Sequence, residues 1–230
     1  MANYLVVGGT HGIGKSLVEQ LLLNKHQVWF TGRGESHDEL PGSNGITWAH
    51  NTEFPMHELP EVLDGIAYLP GTIELKPFHR LTMEQFQEEM NVNTWGAVQI
   101  LQNCLGLLKK SSHPSVVLFS TVAVQTGMPF HSSIALAKGA LEGLTRSLAA
   151  EWAPLIRVNA IAPSLTVTPL SEKLTGSAEK IESGAQRHPL KKLGTAENIA
   201  QMAHFLLTDS SAWMTGQILH VDGGMSSVRV

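Results

Sequence analysis

The sequence predicts an α/β fold: a doubly wound, mostly parallel seven-stranded sheet with helices on both faces. Two observations carry that prediction. Short apolar, β-prone runs alternate with longer runs of helical periodicity, and the first apolar run feeds a glycine-rich turn that opens a helix. The chain has 230 residues, 43% hydrophobic and 16% charged, a balance that lets one domain spanning 1–230 bury a sizeable core. No internal repeat or low-complexity segment divides it.

Taken in order, Tyr4 to Val7 is the first strand and Ile13 to Leu23 the first helix. Gln27 to Phe30 and Ile46 to Ala49 are strands, separated by a polar surface loop from Gly32 to Gly45. Pro55 and Pro60 leave the crossover from Asn51 to Leu63 at most a stub of helix. Gly65 to Leu69 and Ser115 to Phe119 are strands, and Thr82 to Lys109 between them is helical. Ile134 to Trp152 is a helix whose Leu141, Leu144, Leu148 and Trp152 recur as a core stripe, and Arg157 to Ile161 is a strand. The stretch around 162–190 is long and irregular. It leaves the carboxyl end of a strand, where ligands sit in such sheets, so it is expected to be a substrate lid. Helix Ala196 to Leu207 and strand Gln217 to Val221 complete the chain.

The formal net charge is −4, and Lys and Arg form no blocks, which argues against nucleic acid or an anionic membrane as the main partner. Cys104 is the only cysteine, in a helical run that packs it, so no internal disulfide forms. No leader pattern precedes the first strand and no apolar run is long enough to span a bilayer, so a cytoplasmic location is expected. The eleven histidines lack metal-ligand spacing, and no metal is assigned.

The glycine turn admits two readings. Gly9-Thr10-His11-Gly12-Ile13-Gly14-Lys15-Ser16 satisfies the triphosphate loop G-x-x-x-x-G-K-[ST], whereas Gly8, Gly12 and Gly14 satisfy a dinucleotide fingerprint, G-x-x-x-G-x-G. Either way the turn suits phosphate, because glycine lets the backbone approach a ligand and a helix N-terminus favours an anion. After the second strand, Arg33 stands where an NAD site usually places a carboxylate. Its guanidinium, assisted by His11, could pair with a 2′-phosphate, which favours NADP(H) over NAD(H).

Further motifs follow. Asn93-Thr94-Trp95-Gly96 reads N-x-x-G, Ile156 to Pro163 reads I-R-V-N-A-I-A-P, His188-Pro189-Leu190 runs on to Leu193-Gly194, and Thr215 to Gly224 reads T-G-Q-I-L-H-V-D-G-G. With the turn Val6 to Gly14, and in this order, they resemble the short-chain dehydrogenase/reductase family over nearly the whole chain. The resemblance implies a Rossmann-type dinucleotide site, with Lys15 a surface lysine and Ser16 a helix residue. No apolar strand ending in a magnesium-binding Asp is free for a triphosphate enzyme.

The family's chemistry is hydride transfer, with a tetrad of Asn, Ser, Tyr and Lys. The resemblance assigns Asn93, Thr121 in the serine position, and Lys138. Ser120 is the adjacent hydroxyl. At the tyrosine position stands Ile134, which cannot donate a proton, a loss that typically costs about 10² to 10⁴ in rate. Three substitutes offer themselves. His131, seven residues before Lys138, lies two helical turns away, roughly 10.5 Å of rise. Tyr68, at the carboxyl end of a strand, could approach the ribose or close the adenosine pocket. Ser132 or Ser133 could act through water, or cap the helix.

The sequence therefore predicts an NADP(H)-dependent oxidoreductase acting on a small or medium carbonyl or enone. The cofactor site comprises Gly8, Thr10, His11, Gly12, Ile13, Gly14, Arg33, Tyr68, Lys138, Pro163 and Thr168. Catalysis falls to Lys138, Thr121, Asn93 and His131. The resemblance adds a homodimer or homotetramer. The alternative is a dinucleotide-binding protein with little or no turnover, a sensor or structural subunit.

Overall fold

Alternation of side chains along β1 (Asn3–Val7) decides where the two layers of core lie. Leu5 and Val7 enter one cluster, Tyr4 and Val6 the other, and all four are buried. The computed structural model describes residues 1–34 and 40–229, so residues 35–39 of the expected surface loop lie outside the described residues. After β1 come α1 (Gly12–Leu23), β2 (Gln27–Gly32), β3 (Asn44–Thr47) and β4 (Gly65–Tyr68). The crossover between β3 and β4 holds only a 3₁₀ turn, Met56–Glu58, as its prolines require. There follow α2 (Met83–Met90), α3 (Gly96–Leu108), β5 (Ser115–Phe119), α4 (Ala123–Thr126), α5 (Ser132–Trp152), β6 (Arg157–Pro163), β7 (Thr166–Val167), α6 (Glu172–Thr175), α7 (Ala178–Gln186), β8 (Gly194–Thr195), α8 (Ala196–Leu207) and β9 (Ile218–Val221).

Seven strands form one sheet in the order β3-β2-β1-β4-β5-β6-β9, and every neighbouring pair is parallel. Strand order reverses between β1 and β4, which opens a crevice at their carboxyl ends. α1 and α8 cover one face, with Leu17, Leu21, Ile199 and Ala203 buried there. α3 and α5 cover the other, with Ile100, Cys104 and Leu141. Leu144, Leu148 and Trp152 pack against that second layer, as the stripe predicts. Burial pushes the Cys104 thiol up to about 12, consistent with a packed rather than reactive cysteine.

Two expectations need correction. The helical run from Thr82 to Lys109 is broken by a π turn, Asn91–Trp95, between α2 and α3. α2 begins with a capping box, Thr82 to Gln85, and the turn falls on the N-x-x-G motif. The stretch 162–190 is not irregular. It holds β7 paired with β8, a 3₁₀ turn at Pro169–Ser171, α6 and α7. These elements are too short and polar to leave a periodic signal. No helix among the described residues is long and apolar enough to cross a membrane.

Candidate active site

The glycine turn is held from below by Thr31 at the end of β2. The Gly8 N–H donates to Thr31 Oγ1 at 3.0 Å and the Gly9 N–H to the Thr31 carbonyl at 3.0 Å. Gly8 and Gly12 take positive φ, 82° and 51°, and a Cβ on Gly14 would collide with the Gly8 carbonyl oxygen. His11 is the N-cap of α1 without a side-chain cap, and no acid occupies the first turn. The first-turn N–H groups of Gly12, Ile13 and Gly14 are therefore left without a side-chain cap or an acid of the first turn, an arrangement that suits an anion. Thr10 and His11 bond each other, Oγ1 to Nδ1 at 2.9 Å. Thr168 and Pro169, leaving β7, approach to 3.4 Å and 3.5 Å of where a Gly12 Cβ would lie. Ser16 turns the other way, donating to Glu197 Oε1 of α8 at 3.4 Å, as a helix residue rather than a magnesium ligand.

The second group gathers across the crevice. Lys138 on α5 is 8% exposed and Ile134 sits one turn before it, 4% exposed. Asn93, fully buried in the π turn, donates through Nδ2 to the Glu89 carbonyl at 2.9 Å, Glu89 Oε2 at 3.2 Å and Thr72 Oγ1 at 3.1 Å. Thr94 Oγ1 donates to the Ala137 carbonyl at 2.8 Å and so pins this turn to the Lys138 helix. A Cβ on Gly71 would lie 3.0 Å from Asn93 Oδ1 and 3.8 Å from Lys138 Nζ, so amide oxygen and ammonium face one small space. Thr121 follows β5, half-buried, its hydroxyl accepting from the Ala123 N–H at 3.3 Å. Ser120 is committed elsewhere, donating to the buried Glu142 at 2.7 Å.

Electrostatics single out two groups. Burial pushes the Lys138 ammonium down to about 8, with Glu89 opposing the shift. Burial raises the Glu89 carboxyl, against the Glu74 N–H, Lys138 and Thr72, which favour its charged form. Glu89 was not among the residues expected from sequence. Its signal is its place four residues before Asn93, hence on the same helix face, in a run that otherwise reads as a solvated surface.

Three expected residues make bonds of their own outside this group. Tyr68 does not face the cofactor crevice: it is 1% exposed in the α3/α5 layer and donates to the Val92 carbonyl at 2.7 Å. Register along β4 sends Ala67 to the layer shared with α1 and Tyr68 to the opposite one. His131 is the N-cap of α5 but makes no capping bond, and its Nδ1 donates to the Pro129 carbonyl at 2.7 Å. No hydrogen bond joins it to Lys138, Asn93 or Thr121 among the described residues. Ser133 does not cap the helix either: it is 1% exposed and donates to the Glu74 carbonyl at 3.4 Å. Arg33 follows the end of β2, exposed, and Pro163 ends β6.

A family model described as enoyl-(acyl carrier protein) reductase matches residues 56–226. The chain belongs to the short-chain dehydrogenase/reductase family. A tropinone reductase homolog of Arabidopsis thaliana is 31% identical over 97% of this chain and 92% of its own length. A 3-oxoacyl-[acyl-carrier-protein] reductase of Aquifex aeolicus is 30% identical over 96% of each chain. The solved structure of ElxO with NADP bound superposes with a TM-score of 0.90 at 25% identity, covering 99% of this chain and all of that one. This short-chain dehydrogenase/reductase is accordingly an oxidoreductase, and its family works with a nicotinamide dinucleotide. The residues present fit such a cofactor. The cradle admits only glycine at Gly14, the α1 N-terminus is uncapped, and a buried ammonium lies across the crevice.

Proposed function

We propose that the protein moves hydride between NADP(H) and a small or medium carbonyl or enone. The observation that carries this reading is Lys138, buried, pushed down to about 8, and facing the same space as Asn93 Oδ1. The bound nicotinamide supplies the hydride. Lys138 anchors its ribose, Thr121 orients the substrate oxygen, and Asn93 holds a water in the proton path. Gly8, Thr10, Gly12, Ile13 and Gly14 hold the pyrophosphate, while Pro163 and Thr168 flank the carboxamide. Arg33, with His11, takes the 2′-phosphate. The NADP held by ElxO supports that preference. Leu136, exposed on α5, belongs to the proposed self-association surface of a homodimer or homotetramer.

Oxidation of NADPH and of NADH against a panel of ketones, aldehydes and enones tests the reading. Faster turnover with NADPH is expected, and failure to bind either dinucleotide would overturn it. Ile134 favours a second reading, a protein that binds NADPH without turning it over. Binding without turnover in the wild type, with turnover restored in Ile134→Tyr, would select that one.

A further inference from the structure

Two buried oxygens in this neighbourhood have no hydrogen-bond partner among the described residues. Glu89, 2% exposed, uses Oε2 to accept from Asn93 at 3.2 Å, and its Oε1 takes nothing. Asn93 Oδ1 takes nothing either. Lys138 Nζ faces the same space, yet it closes no ion pair within 4.0 Å among the described residues. Buried polar atoms are rarely left unpaired, and a glutamate is rarely this buried unless paired. A water in that space would accept from the ammonium and donate to Asn93 Oδ1, while Glu89, whose charge acts on Lys138, is tied to the same amide through Oε2. Glu89 is further framed by the Glu74 N–H, the Thr72 hydroxyl and the Glu74 carboxylate, which Lys76 pairs at 3.1 Å.

We propose that Glu89 is a positioning residue for proton transfer: with Lys138 and one water it supplies the proton that Ile134 cannot. This rests on the oxidoreductase reading above. In the direction of reduction, hydride brings two electrons and one hydrogen to the carbonyl carbon, and the carbonyl π pair moves onto oxygen. The oxygen takes a proton from the water, and the water takes one from the Lys138 ammonium. The amine regains its proton from solvent by way of the Glu89 carboxylate, which binds and releases one proton per turnover. Oxidation reverses each transfer.

The test pairs ligand-free NMR with kinetics. Titration of Lys138 Nζ is followed in protein carrying nitrogen-labelled lysine, assigned with Lys138→Arg, for wild type, Glu89→Gln and Glu89→Asp. Glu89→Gln retains an oxygen for Asn93, and thermal melting checks that it folds. The wild-type midpoint is expected near about 8. It should fall by about one pH unit in Glu89→Gln and recover in Glu89→Asp. NADPH-dependent kcat should fall about tenfold or more in Glu89→Gln with KM unchanged, its alkaline limb moving with the Lys138 midpoint. In an Ile134→Tyr background the same substitution should cost far less. An unmoved midpoint would overturn the proposal whatever the turnover, and so would an equal kcat loss in both backgrounds. Failure of the wild type to bind NADPH would contradict the functional reading instead, and the midpoint alone would then decide whether Glu89 and Lys138 share a proton.

Discussion

The Tyr68 hydroxyl donates to the Val92 carbonyl at 2.7 Å, joining the end of β4 to the π turn that carries Asn93. A Cβ on Gly96 would collide with that hydroxyl, so the glycine of N-x-x-G makes room for the phenol. The bond sets the turn from one side, and the Thr94 bond to the Ala137 carbonyl sets it from the Lys138 side. Asn93 is thus held between two fixed points, with its side chain delivered to the crevice.

Tyr68→Phe removes the phenol's buried bond to the Val92 carbonyl. The expected cost is about 1–3 kcal/mol of stability, read by urea unfolding, with NADPH affinity unchanged. A variant as stable as wild type would show that the π turn does not depend on this bond.

Gly14→Ala should abolish tight dinucleotide binding, because the new methyl meets the Gly8 carbonyl oxygen and pushes the turn out of its cradle. NADPH fluorescence titration should show affinity lower by about tenfold or more, equivalent to about 1.4 kcal/mol. Unchanged affinity would mean that the cradle is not the pyrophosphate site.

The sheet and most of its crossovers were legible because alternation and periodicity are local signals, and Lys138 and Asn93, singled out by the family resemblance, do face one space. Tyr68 was misplaced for a physical reason. β4 is buried on both faces, so neighbouring apolar residues do not reveal which face Tyr68 joins. The π turn is hidden because one widened turn barely disturbs a helical pattern. α7 reads A-E-K-I-E-S-G-A-Q, too polar to stand out as a helix, which made 162–190 look irregular. Glu89 resembles any surface glutamate until the loop carrying Thr72 and Glu74 closes over it.

Stability should depend on pH through Lys138. Its folded value, about 8, lies below the ordinary 10.5, so between those values the unfolded chain binds more protons. This group's contribution is least favourable below about 8 and rises with pH above it, by up to about 1.4 kcal/mol per pH unit. Relative to Lys138→Met, the wild type should gain stability from about pH 8 to about pH 10, measured by denaturant unfolding at each pH. A difference independent of pH would mean that Lys138 is not desolvated.

Arg33→Ala should raise KM for NADPH about tenfold and leave NADH kinetics nearly unchanged, since only the former carries the phosphate that the guanidinium would pair. Equal effects on both cofactors would remove the assigned preference.

The most direct measurement is NADPH consumption by the wild-type protein with a ketone, aldehyde and enone panel, followed by nicotinamide absorbance. Turnover that is lost in Lys138→Met is the predicted result, with Ile134→Tyr faster than wild type by up to the range of a restored general acid, about 10² or more. NADPH consumption that persists in Lys138→Met, or a wild type that neither binds nor oxidises NADPH, would contradict the assignment of this crevice as the site of hydride transfer.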